Sequence, residues 1–108
     1  MERMQAISPE DFVEKLNNNE LEHSAIIDVR EPVEWDYYHL NEAQLIPMQS
    51  IPTRLEELPK DRDLYIVCAH GVRSTHVCYF LREQGFNNVI NVNGGMAAVA
   101  MLLGFQYD

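Results

Sequence analysis

The sequence predicts an α/β protein with a mostly parallel central sheet and helices on both faces. Two observations carry that expectation. The apolar periodicity switches between strand-like and helix-like about every 10–20 residues, the pattern of strands joined by helical crossovers. The strand-like runs are short and continuously apolar, as in strands buried on both faces, and do not alternate as half-exposed ones do. With 108 residues, 46% of them hydrophobic and 23% charged, the chain suits one globular domain spanning residues 1–108 around one core. No repeat, low-complexity tract or linker divides it.

Each element has a local reason. Ser8-Pro9-Glu10-Asp11 starts a helix, with Ser8 as cap, Pro9 in the first turn and two acids at the positive end of the dipole. Phe12, Val13 and Leu16 are its core positions. Ala25 to Val29 is a buried strand stopped by Arg30-Glu31-Pro32, and Glu31 to Tyr38 a short helix begun by Pro32. Gln44-Leu45-Ile46 reads as a second strand closed by Pro47, followed by a helix from Ser50 to Leu58 with Pro52 in its first turn. Leu64 to Cys68 is the clearest strand. The clearest helix runs from Ser74 to Glu83, with Val77, Tyr79, Phe80 and Leu81 as its apolar residues and Gly85 at its C-terminal stop. Val89 to Val92 gives a further strand, Gly94-Gly95 a tight turn and Met96 to Leu103 a terminal helix.

Charge and composition exclude several classes of function. Eight Lys and Arg against 17 Asp and Glu give a net charge of -9, which repels nucleic acid backbones and anionic lipid surfaces. Neither is an expected partner. The N-terminal Met1-Glu2-Arg3-Met4-Gln5 is charged where an export signal is apolar, and Met96 to Phe105 is about half the roughly 20 residues of a membrane helix. A soluble, cytoplasmic protein is expected. Cys68 and Cys78 are too few for a disulfide scaffold and are read as free thiols in a reducing compartment.

The segment that carries chemistry is Cys68-Ala69-His70-Gly71-Val72-Arg73-Ser74, where a buried strand gives way to a helix. A loop curling from a strand end into a helix N-terminus aims successive backbone N–H groups into one concavity, and the helix adds about half a positive charge there. Such a nest holds an anion. With the Cys68 sulfur at its centre, thiolate is favoured over thiol and the pKa falls from about 8.5, which makes Cys68 a nucleophile at neutral pH. Gly71 permits the backbone dihedrals that so short a loop needs, and Arg73 adds a permanent cation at the rim.

These residues resemble the rhodanese-like family, whose active-site loop has a Cys, four intervening residues and an Arg, commonly followed by Ser or Thr. Cys68 to Arg73 fits it position by position. Ile27-Asp28-Val29-Arg30-Glu31-Pro32 with Glu34-Trp35 and His39 resembles the first family signature, and Asn91-Val92-Asn93-Gly94-Gly95-Met96 the Gly-Gly turn of the second. The resemblance implies a three-layer sandwich and a single-domain sulfurtransferase. It implies that Cys68 takes a sulfane sulfur from a donor such as thiosulfate, holds it as a persulfide, and passes it to cyanide, a thiol or a protein cysteine. Ala69, His70, Gly71, Val72 and Arg73 then form the substrate and persulfide loop, and Asp28, Arg30 and Ser74 support it. No metal or organic cofactor is implied. The acidic charge makes a sulfur-relay protein with a basic face a plausible partner beside small molecules, and a monomer or weak homodimer is expected.

Two segments depart from the family pattern. Tyr38-His39-Leu40-Asn41-Glu42-Ala43 stands where Gly-His-Ile-Pro-Gly-Ala is usual, and Val99 where an aromatic follows the Gly-Gly turn. The first implies a different turn, the second a thinner pocket wall or an outward apolar face.

Two rivals remain open at this point. Cysteine-dependent phosphatases and arsenate reductases share this fold but have one more residue between Cys and Arg, a wider cradle for a tetrahedral oxyanion. A non-catalytic or redox-sensing partner-binding module typically lacks the Cys, which this chain retains. The remaining candidates have simpler readings. Cys78 reads as a core residue, His70 as a loop residue without an acid–base role, and His23, His39 and His76 as structural or exposed, with no metal-ligand spacing. Asp28 and Arg30 read as a brace for the active loop. Glu56-Glu57 and Asp61 with Asp63 read as solvated faces, and Met96 to Met101 as core or as a docking patch.

Overall fold

The protein is described over residues 4–107 from a computed structural model. Its elements in chain order are β1 (Gln5–Ile7), α1 (Pro9–Asn17), β2 (Ala25–Asp28), α2 (Pro32–Tyr37), β3 (Ala43–Leu45), two 3-10 helices (Met48–Thr53 and Leu55–Glu57), β4 (Leu64–Val67), α3 (Val72–Glu83), β5 (Val89–Val92) and α4 (Gly95–Leu102). The five strands form one parallel sheet in the order β1-β5-β4-β2-β3. This is the α/β architecture with helices on both faces that the periodicity predicts.

The sheet separates two apolar layers. On one face Ile27, Leu64, Ile66 and Val89 pack with Val77, Cys78 and Leu81 of α3 and with Ile51 and Leu58 from the 3-10 region. On the other, Ile26, Tyr65, Val67 and Val92 pack with Phe12 and Val13 of α1 and Met96 and Val99 of α4. Neighbouring strand residues thus go to opposite layers, which is why these runs are apolar throughout. Ser8 caps α1 as expected, accepting from the Asp11 N–H at 3.1 Å.

The structure differs from the expectations in several places. β1 falls where the sequence signals no strand: three residues at the sheet edge, mostly exposed and flanked by charge, carry too little periodicity to register. The expected helix from Ser50 to Leu58 is two short 3-10 helices, with Pro52 inside the first, because proline cannot donate to the α-helical ladder. Helix α3 begins at Val72, two residues before the expected Ser74, with Gly71 as its left-handed N-cap. Tyr79 is exposed on α3 while Val77 and Leu81 are buried, and the terminal helix runs from Gly95 to Leu102.

The chain leaves β2 outward to β3 and leaves β4 the opposite way to β5. The carboxyl ends of β2 and β4 therefore flank a switch point, the place where parallel α/β sheets put their ligands. Asp28 ends one of these strands, and Cys68 follows the other. Among the described residues no helix is long and apolar enough to cross a membrane, and no group of three or more His, Cys, Asp or Glu side chains is placed to hold a metal ion.

Candidate active site

Cys68 follows β4 directly and is buried. The next residues turn sharply, because Gly71 takes a φ of 97°, and a β-carbon there would sit 3.3 Å from the Gly94 nitrogen. The Cys68 and Ala69 carbonyls point toward α4, where they accept the Met96 N–H at 2.7 Å and the Ala97 N–H at 3.0 Å. The following amides face the sulfur: the N–H groups of Gly71 and Ser74 donate to Sγ at 3.1 and 3.3 Å. The Ser74 hydroxyl lies 3.3 Å from Sγ. Burial pushes the thiol pKa up, but hydrogen bonding with the Ser74 hydroxyl and from the Ser74, His70 and Gly71 amides outweighs it. The net pKa lies below the ordinary thiol value.

The Gly94-Gly95 turn acts from below. Gly94 and Gly95 both take positive φ, and a β-carbon on Gly95 would stand 2.5 Å from the backbone of Cys68 and Ala69. Only glycine lets α4 approach closely enough to cap those two carbonyls.

Arg73, in the first turn of α3, donates through Nη1 and Nη2 to the two Glu34 carboxylate oxygens, each at 2.8 Å. The rim cation is therefore neutralised by a bidentate partner from α2. The Arg73 hydrogen bonds bring the Glu34 carboxyl down to about 2, and Glu34 raises the Arg73 pKa in return.

Asp28 and Arg30 form a fully buried ion pair, with Nη2 2.7 Å from Oδ2. The rest of the guanidinium donates to the Tyr38 carbonyl at 2.6 Å, the Glu34 carbonyl at 3.2 Å and the Tyr107 hydroxyl at 3.1 Å. The remaining hydrogen-bond partners of Arg30 lie on α2, just after it, and on the C-terminal segment. The pair reaches the site at one remove, since α2 carries Glu34.

Of the residues singled out in the sequence, Cys68, Gly71 and Ser74 meet at the sulfur, and Ala69 is held by its carbonyl. His70 supplies an amide while its side chain is exposed. Val72 and Arg73 belong to the helix rather than the loop, and Val72 is 66% exposed. Cys78 packs in the α3 layer, and burial pushes its thiol up to about 12. His39 stacks on Trp35 with ring centroids 3.9 Å apart. At the departures from the family pattern, Tyr38 stacks on Phe105 at 4.2 Å and Val99 is buried, while Met101 of α4 is 70% exposed.

Sequence reasoning missed Glu34 as the Arg73 partner, Tyr107 and Asn91. Asn91 is buried in β5, where the Ser74 hydroxyl donates to its Oδ1 at 2.5 Å. The signal was present in Val89-Ile90-Asn91-Val92, because a polar residue inside a buried strand requires a partner.

With this geometry in place, comparison with known proteins decides the family. The family model of the rhodanese-like domain matches residues 8–102. The chain belongs to the rhodanese-like domain family. It is 41% identical over 75 residues to a protein of Allochromatium vinosum named "Sulfurtransferase", covering 69% of this chain and 70% of that one. It is 33% identical over 89 residues to "Thiosulfate sulfurtransferase GlpE" of Actinobacillus pleuropneumoniae, covering 82% and 80%. The crystal structure of a rhodanese-like domain protein from Staphylococcus aureus superposes with a TM-score of 0.81 at 38% identity, covering 89% and 91%. Longer proteins also match, and the chain spans 20% of the length of "Probable adenylyltransferase/sulfurtransferase MoeZ" of Mycobacterium tuberculosis.

Proposed function

We propose that this chain is a sulfurtransferase that carries a sulfane sulfur as a persulfide on Cys68. The observation that carries the reading is the set of amides converging on the Cys68 sulfur, with the thiol pKa held below its ordinary value. The relatives named as sulfurtransferases support it.

In the first half-reaction the Cys68 thiolate attacks the outer sulfur of thiosulfate. A new S–S bond forms, the old one breaks, and sulfite leaves with its electron pair. The loop amides and the α3 N-terminus stabilise the terminal persulfide anion, as they stabilise the thiolate. In the second half-reaction cyanide or a thiolate attacks that terminal sulfur, and Cys68 leaves again as thiolate. No net redox change falls on the protein. Asp28, Arg30 and Ser74 support the cradle, and Glu34 holds Arg73 at its rim.

Because the chain carries a net charge of -9 and its rim cation is neutralised, free small anions gain little from long-range attraction. A protein donor or acceptor presenting a basic face and a cysteine fits that field better. The test is sulfur transfer from thiosulfate to cyanide, followed as thiocyanate and repeated over a range of ionic strength, with an aryl phosphate as the alternative substrate. Thiocyanate formation by the wild type and none by Cys68→Ser supports the reading. Phosphate release without thiocyanate replaces it with the phosphatase reading. A rapid thiosulfate reaction indifferent to ionic strength removes the argument for a protein partner.

A further inference from the structure

Ser74 has one hydroxyl proton and two neighbours that compete for it. Its Oγ lies 3.3 Å from Cys68 Sγ and donates to Asn91 Oδ1 at 2.5 Å. Asn91 Nδ2 donates in turn to Asn93 Oδ1 at 3.0 Å. Asn91 is buried and Asn93 exposed, so four side chains form a continuous wire from the sulfur to solvent. It emerges at a cavity of about 450 Å³ bordered by His70, Thr75, His76 and Gly94.

The wire is complete while the sulfur is protonated. Cys68 S–H donates to Ser74, and Ser74 O–H donates to Asn91. A thiolate only accepts, and the Ser74 proton then serves best when turned toward it. Ser74 Oγ would then face Asn91 Oδ1 with lone pairs on both sides at hydrogen-bond distance, which is repulsive. The repulsion is relieved when the Asn91 amide turns over and presents Nδ2 to Ser74. Its Oδ1 then faces Asn93, whose own amide must turn to offer Nδ2. Asn93 is exposed and can make that change against water at small cost.

We propose that Asn91 and Asn93 are positioning residues that set the direction of the Ser74 hydroxyl, and through it the fraction of Cys68 held as thiolate. This rests on the reading of Cys68 as the nucleophile and deepens it. Other titratable groups around the sulfur stand outside the wire. On α3, Arg73 is tied to Glu34 of α2, and burial keeps Cys78 protonated. On β2, Asp28 is paired with Arg30, and the His70 side chain in the loop faces solvent. Beyond the proton that Cys68 loses, the wire reverses without any change in charge.

The test is the pH midpoint of Cys68 alkylation by iodoacetamide, read by mass spectrometry on the full chain. It needs no sulfur donor, so its outcome is independent of whether sulfur transfer is the reaction. Asn93→Asp supplies a side chain that only accepts, holding Asn91 Nδ2 outward and Oδ1 toward Ser74. The expected result is a midpoint raised by about one pH unit, the scale of one lost hydrogen bond to a charged group. The same substitution in a Ser74→Ala background, where the wire is cut but the new charge remains, should move the midpoint by less than a third as much. Repeating Asn93→Asp in about 1 M salt separates the two causes a second way, because a distant charge is then screened and a hydrogen-bond direction is not. An equal shift in both backgrounds, a shift abolished by salt, or no shift at all would overturn the proposal.

Discussion

Gly95 lies so close beneath Cys68 that a β-carbon on it would stand 2.5 Å from the Cys68 carbonyl oxygen. That approach lets the Met96 N–H reach the same oxygen at 2.7 Å and turns the loop amides toward the sulfur. Gly95→Ala meets both the clash and a left-handed φ of 62°. The expected cost is about 2–4 kcal/mol in urea unfolding, with Cys68 alkylation slowed at neutral pH. A variant as stable and as reactive as wild type would show that the approach is not needed.

Ser74→Ala removes the hydroxyl from Cys68 while keeping the Ser74 amide. Since the hydroxyl lowers the thiol pKa, its loss moves the alkylation midpoint upward by about one pH unit. Below the midpoint the variant reacts roughly tenfold more slowly at a given pH. Stopped-flow alkylation across pH checks this, and an unmoved midpoint would mean the backbone amides suffice.

The sequence made the nucleophile legible because its chemistry is local. Strand, loop, Gly71 and helix start are consecutive, so the nest around Cys68 follows from six neighbouring residues. Glu34 lies 39 positions from Arg73 and Tyr107 lies 77 from Arg30. Nothing in the local pattern pairs them, and only the crossing of α2 and the C-terminal segment over the strand ends does. β1 was invisible for a related reason: a three-residue edge strand is fixed by its pairing with β5 rather than by its own periodicity. The Gly94-Gly95 turn was seen as a turn, but its role under the active loop is a tertiary contact.

The Glu34–Arg73 pair gives the protein an acid-sensitive component of stability. The Glu34 carboxyl is lowered from 4.5 to about 2, chiefly by Arg73. Its contribution is therefore full above about pH 4.5 and is lost as pH falls toward 2. After allowing for solvent screening of a partly exposed pair, wild type should exceed Glu34→Gln by about 1–2 kcal/mol at pH 7, with the gap closing by about pH 2. Urea unfolding of both proteins across this range is the check, and a gap independent of pH would contradict it.

Breaking the buried pair costs more. Asp28→Asn leaves the Arg30 guanidinium buried without its counter-ion, with an expected loss of about 3–5 kcal/mol. Tyr107→Phe removes one acceptor from the same guanidinium and should cost about 1–2 kcal/mol. Thermal and urea unfolding should rank the two in that order, and equal losses would argue against the C-terminal segment as a lesser brace.

The central claim is that Cys68 carries sulfur, and intact-protein mass spectrometry tests it most directly. Reduced wild type and Cys68→Ser are each incubated with thiosulfate and then with cyanide or a thiol. The account predicts a gain of one sulfur atom in wild type alone, reversed by the acceptor. A sulfur adduct on Cys68→Ser equal to that of wild type, or no adduct on folded wild type with either thiosulfate or a protein persulfide donor, would contradict it.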